Sequence, residues 1–126
     1  MSSIFSGIPS DKWIMNNDLA FAILDIYPAS EGHTLFIPKR EIKTFFEINN
    51  DELKAIKNLI NKRKDEILKE DDSVEGFNIL INNGAIAGQT VFHLHFHLIP
   101  RRKNDGSQFY FFLTYGFTKI TEEVFL

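Results

Sequence analysis

The chain has no cysteine among its 126 residues, which excludes disulfides, thiolate nucleophiles and cysteine-based metal sites. No stretch approaches about 18 consecutive apolar residues, so no membrane-spanning helix is expected. An excess of charge of one sign is also lacking. The net charge is −3, which leaves no basic footprint for nucleic-acid binding independent of sequence. The first ten residues, Met1 to Ser10, lack the basic start and continuous apolar core of a signal peptide, so a cytoplasmic location is expected. Internal repeats and low-complexity tracts are absent. What is present is ample apolar material: 44% of residues are hydrophobic, including thirteen Phe. A chain of this length forms one domain and buries roughly two-thirds of the surface its unfolded form exposes.

The most informative stretch is His93-Leu94-His95-Phe96-His97-Leu98-Ile99. The chain has four histidines, and three of them stand here at a period of two. A strand has that period, so His93, His95 and His97 are predicted to face one side of a strand spanning Phe92–Ile99. Phe92, Leu94, Phe96 and Leu98 are predicted to face the core.

Three readings compete for the imidazole row. In one it is merely a polar strand face. In another it binds metal, since histidine is the commonest metal ligand. Residues four apart on a strand are separated by roughly 13 Å at about 3.3 Å per residue. Metal–nitrogen bonds measure only about 2.0–2.1 Å. His93 and His97 therefore cannot share an ion without a sharp bend, although two of the three histidines and a neighbour such as His33 can. The third reading is nucleophilic and acid–base chemistry on a phosphate ester or phosphoramidate. Imidazole titrates near neutrality, attacks when neutral and stabilises charge when protonated. The Gly84–Thr90 loop before the row adds small residues and backbone N–H groups suited to phosphate oxygens.

Elsewhere the pattern predicts an α+β domain. Strands are predicted at Lys12–Met15, Leu19–Ile26, His33–Ile37 and Phe77–Ile81, the last an antiparallel neighbour of Phe92–Ile99. Pro38 and Pro100 are expected to close their strands. A short helix is predicted within Lys39–Ile48, with Ile42, Phe45 and Phe46 turned inward. A long helix is predicted over Asn49–Glu70. Asn49 and Glu52 resemble a capping box, and Leu53, Ile56, Leu59, Ile60 and Ile67 form its apolar stripe. On its own residues Asp25 reads as a turn carboxylate before Pro28, and His33 as an ordinary residue at a strand start. Lys39, Arg40, Arg101, Arg102 and Lys103 are either anion attractors or solvated basic residues. Residues 104–126 form a Phe-rich C-terminal segment whose apolar surface is expected to be covered, by this chain or by another subunit.

The His-x-His-x-His segment resembles the signature of the histidine triad family of nucleotide hydrolases and transferases. The similarity extends to Asn82, Gly84, Gly88, Gln89 and Thr90. It extends also to Leu24-Asp25-Ile26-Tyr27-Pro28 and Gly32-His33-Thr34-Leu35-Phe36-Ile37-Pro38-Lys39. It spans roughly residues 11–103. The resemblance implies an antiparallel sheet of about five strands with one short and one long helix. It implies a purine nucleotide substrate, no cofactor and a homodimer. It gives His95 the role of nucleophile on the α-phosphate, forming a nucleotidyl-histidine that water hydrolyses to a nucleoside monophosphate. The main-chain carbonyl of His93 would then hold one ring N–H of His95, and His97 and His33 would stabilise phosphoryl charge. Asp25 would accept ribose hydroxyls, with Ile26 beside it. Asn82, Gly88, Gln89 and Thr90 would bind phosphate or ribose. Nucleoside phosphoramidates and dinucleoside polyphosphates are both implied substrates. A nucleotide-binding regulatory module with little turnover is the alternative.

Departures from the family pattern are confined to the ends. Ile4-Phe5-Ser6-Gly7-Ile8-Pro9 is compressed where members usually have several more residues that help line the base pocket. The zinc that some bacterial members bind through an N-terminal Cys-x-x-Cys is not expected here, because there is no cysteine.

Overall fold

The computed structural model describes residues 3–106. Five strands form a single antiparallel sheet: β1 (Met15–Asn16), β2 (Ala20–Leu24), β3 (Thr34–Pro38), β4 (Gly76–Leu80) and β5 (Phe96–Arg101). Their order is β1-β2-β3-β5-β4. The one α-helix among the described residues, α1 (Asn50–Glu70), crosses from β3 to β4. The expected α+β fold with five strands is observed. The Phe-rich segment after Ser107 lies outside the described residues.

Helix α1 begins where the sequence places its cap. Asn49 Oδ1 accepts the Glu52 N–H at 2.8 Å, and Glu52 Oε1 accepts the Asn49 N–H at 3.1 Å. The buried Glu52 carboxylate also receives a bidentate pair from Arg40, at 2.8 and 2.9 Å. Arg40 is thereby engaged in closing the helix start, and Lys39 lies over the Trp13 ring at 5.5 Å. Both basic residues have structural partners. Arg101 pairs with Asp105, and Arg102 with Asp71.

The core divides along the sheet. On one face Ala20, Ala22, Phe36, Leu94, Phe96 and Leu98 pack against Ala55, Ile56, Leu59 and Ile67 of α1. On the other face Phe21, Leu35 and Ile37 pack with Phe5 from the N-terminal segment, flanked by Trp13, Ile23 and Val91. Leu35 is the cross-strand partner of His97. Side chains that pair directly across two strands lie on the same face. His97 therefore shares the face covered by the N-terminal segment, and α1 occupies the opposite face.

Several predicted boundaries move. The predicted Phe92–Ile99 strand is paired only from Phe96 onward and runs on to Arg101. His93 and His95 precede it in irregular backbone, and Phe92 is 53% exposed instead of entering the core. Pro100 does not end β5, because it sits opposite Phe77 in the β4 ladder. The predicted short helix is only a three-residue 3₁₀ turn, Phe45–Glu47, in which Phe46 is 82% exposed. In place of the predicted Lys12–Met15 strand, Ser10–Lys12 forms a 3₁₀ turn and β1 is the two-residue bridge Met15–Asn16.

Ile56 sits at the centre of the sheet–helix interface and is almost fully enclosed. Ile56→Ala is expected to cost about 2–5 kcal/mol through lost burial and the cavity left behind. Urea unfolding followed by circular dichroism would check this, with a lowered midpoint and an unchanged slope expected.

Candidate active site

The backbone leaves the ladder just before β5, and that departure creates the site. Outside the ladder, the His93 carbonyl is available to a side chain. It accepts a hydrogen bond from His95 Nδ1 at 2.8 Å. A carbonyl only accepts, so Nδ1 of His95 carries the proton and Nε2 holds the lone pair. No hydrogen bond reaches that Nε2 among the described residues. The His93 ring is also fixed. Its Nε2–H donates to the Pro38 carbonyl at 2.7 Å, and its Nδ1 lies 2.6 Å from Ser3 Oγ.

A second chain of bonds sets the other two rings. The Ala29 N–H donates to His33 Nδ1 at 3.0 Å, which leaves the proton of the neutral ring on Nε2. That nitrogen lies 2.9 Å from His97 Nδ1 and 3.4 Å from Asp25 Oδ2. His97 accepts through Nδ1 and so carries its own proton on Nε2. This Nε2–H is buried with no partner among the described residues. Buried donors are normally satisfied, and one that is not calls for an explanation such as an ordered water, an ion or a catalytic role. The His95 and His97 rings meet edge to face at 5.1 Å. The row thus presents a bare nitrogen lone pair beside an unpaired N–H donor.

Burial keeps these rings neutral. Desolvation is the largest influence on His95 and pulls its pKa below 6.5, against the opposing pull of the His93 carbonyl and Asp25. His97 falls furthest, to about 4, through burial and then the neighbouring His95 and His33. His33 is lowered by burial, partly opposed by Asp25. Neutral imidazole is the form that attacks.

Asp25, His33 and His97 offer donor atoms within 4.8 Å of one another, a set that matches a divalent cation. The hydrogen bond between the two rings already orients both of them.

Gly84 to Gln89 forms a closed loop around a 3₁₀ turn, Ala85–Ala87. Gly88 takes the left-handed conformation, φ +98°, against the Asn82 side chain. Gln89 was expected to hold phosphate oxygens, but its buried amide is fully engaged by the backbone. Its Oε1 accepts the Gly84 N–H at 2.8 Å, and its Nε2 donates to Lys43 O at 2.7 Å and Val91 O at 3.1 Å. A buried amide has to satisfy itself, and here it does so by tying the loop shut. Asn82 is half-buried behind Gly88, and Thr90 is exposed. Thr90, Phe92, Lys43, Glu41 and Ser3 border a cavity of about 490 Å³. Ile26 is 83% exposed, next to the half-buried Asp25. Asp25 Oδ1 accepts the Tyr27 N–H at 2.9 Å, as its turn position suggests, while Oδ2 faces His33.

Two contributors escaped the sequence reading. Asn83 Oδ1 accepts the Phe45 N–H at 2.8 Å and docks the loop onto the neighbouring segment. Ser3 reaches His93 across ninety positions of sequence, and only the folded chain brings them together.

The chain is similar to known proteins over most of its length. The HIT domain family model matches residues 8–104. An uncharacterized HIT-like protein of Methanocaldococcus jannaschii is 42% identical over 104 residues, covering 82% of this chain and 78% of that protein. The adenosine 5′-monophosphoramidase of Candida albicans is 40% identical over 99 residues, covering 75% of this chain and 64% of that protein. Among solved structures, a HIT family member from Bacillus subtilis superposes with a TM-score of 0.74 at 36% identity, covering 83% of this chain and 77% of that one. With a family match over most of its length and the triad in place, the chain belongs to the HIT, or histidine triad, family.

Proposed function

We propose that the chain is a nucleotide hydrolase acting at the α-phosphate of a nucleoside phosphoramidate or dinucleoside polyphosphate. The observation that carries the reading is the pairing of a bare lone pair on His95 Nε2 with the unpartnered N–H on His97 Nε2. The first is a nucleophile, and the second is a donor for a phosphoryl oxygen or the departing group. His95 Nε2 attacks phosphorus, a P–N bond forms, and the bond to the leaving group breaks. The leaving group departs with its electron pair and takes a proton from solvent. Water then attacks phosphorus, the P–N bond breaks and returns its electron pair to His95 Nε2, and the water's proton goes to solvent as the nucleoside monophosphate leaves. Division into two displacements is the contribution of covalent catalysis.

The remaining residues support the reading by position. Asp25 faces His33 through Oδ2 and opposes the loss of positive charge there, and its half-buried carboxylate is the acceptor this reading assigns to ribose hydroxyls. The loop held by Gln89 leads directly into the row, with the N–H groups of Gly84, Ala87, Gly88 and Gln89 spent within the loop itself. Thr90 is exposed at the end of that loop, three positions before His93, where its hydroxyl is open to a ligand oxygen. The named activity of the Candida relative makes phosphoramidates the first substrates to try.

Incubation with adenosine 5′-phosphoramidate and, separately, a diadenosine polyphosphate is expected to release AMP. His95→Ala is expected to lower the rate by on the order of 10³-fold or more. The faster substrate identifies the branch. Undiminished release by the variant would overturn the nucleophile assignment. Nucleotide binding without turnover by the unaltered protein would favour a regulatory module.

The acid limb of kcat/KM is expected to have its midpoint below pH 6.5, because burial holds His95 below that value. The same shifts act on stability. An unfolded histidine binds a proton near pH 6.5, whereas His97 resists until about pH 4. The folded state therefore binds fewer protons in that window and loses stability as pH falls through it. A pH–rate profile with an acid midpoint at or above 6.5 would contradict the assignment.

A further inference from the structure

The N-terminal segment does more than cover the sheet. Ser3 Oγ accepts two backbone hydrogen bonds, from Phe5 N–H at 3.1 Å and Ser6 N–H at 3.2 Å. These occupy both lone pairs of the hydroxyl, so its proton must point elsewhere. The nearest acceptor is His93 Nδ1 at 2.6 Å. The far side of the ring gives the same answer independently. Pro38 O can only accept, so His93 Nε2 carries the ring proton and Nδ1 is the lone pair that Ser3 fills. Glu41 anchors the other end. Its Oε1 accepts the Ser3 N–H at 2.8 Å and the Ser6 hydroxyl. Those two bonds hold the Glu41 carboxyl below its usual pKa.

From these contacts we propose that Ser3 is a positioning residue for His95, clamping His93 so that the His93 carbonyl stays aimed at His95 Nδ1. The inference rests on His95 being the nucleophile. The clamp runs from Glu41 through Ser3 to the His93 ring, and through the His93 carbonyl to the attacking ring. Phe5, two residues from Ser3, completes it. Its buried ring meets His95 edge-on, centroids 5.1 Å apart at 76°, and also lies against His93 at 5.8 Å. One short segment thus holds one imidazole by a hydrogen bond and the next by ring packing. Ser3 touches no reacting atom, so its effect falls on geometry. A carbonyl that wanders releases the His95 tautomer and the aim of Nε2 together.

The test uses the full chain with Ser3→Ala and Ser3→Thr, read by turnover and by ¹⁵N spectra of the histidine rings. Ser3→Ala is expected to lower kcat about 10- to 100-fold through misaligned attack, with KM changed by less than about 2-fold. The same variant should accelerate exchange of the His95 Nδ1 proton, and Ser3→Thr, which keeps the hydroxyl, should restore both. Unchanged kcat and unchanged exchange in Ser3→Ala would overturn the proposal. So would a loss that tracks the fall in melting temperature and is not restored by Thr. The ring spectra decide the clamp without turnover. If His95→Ala kept full activity while Ser3→Ala still freed the His95 proton, the nucleophile assignment would fail and the contact alone would stand.

Discussion

The site depends on one hydrogen bond, from His95 Nδ1 to the carbonyl of the residue two positions earlier. In a regular strand paired on both sides, that carbonyl would be taken by a neighbouring strand. Here pairing begins only at Phe96, so the His93 carbonyl is available to a ring. A neutral imidazole has one proton and one lone pair, and the carbonyl decides which nitrogen has which. The break in the ladder and the exposure of a nucleophilic lone pair are therefore one structural fact. The same two-residue spacing brings the His95 and His97 rings edge to face.

Around that bond the chain arranges an enclosure that keeps imidazoles uncharged. The sheet supplies Leu35 as the cross-strand neighbour of His97, and the N-terminal segment supplies Phe5 against His95. Asp25 works against this by favouring positive charge on His33, His95 and His97. Burial dominates, so the rings stay neutral while Asp25 remains close enough to stabilise charge that develops during a reaction. The Gly84–Gln89 loop is rigid for a separate reason, since the Gln89 amide bonds to three backbone groups.

What could be read in the sequence was local or periodic. The cap at Asn49, the stripe on α1 and the alternation of histidines are short-range patterns, and each appears in the structure. The alternation also misled. Period two extended the predicted strand back to Phe92, although the pairing partner β3 is engaged only through Phe36. Phe46 looked inward by composition, yet three residues of 3₁₀ turn leave room to bury only part of the Phe45–Phe46 pair. The place of Gln89 in a motif points to phosphate, but a sequence does not show the three backbone bonds that engage its amide in the folded chain. Ser3 had no sequence signal, because one serine among irregular residues says nothing about a ring ninety positions away.

The most direct test is to locate the covalent bond itself. A turnover mixture with adenosine 5′-phosphoramidate would be quenched, and the trapped nucleotidyl adduct examined by peptide mapping and ³¹P nuclear magnetic resonance. The account predicts attachment to Nε2 of His95, because Nδ1 is held by the His93 carbonyl. Attachment to Nδ1, or to any other residue, would contradict it.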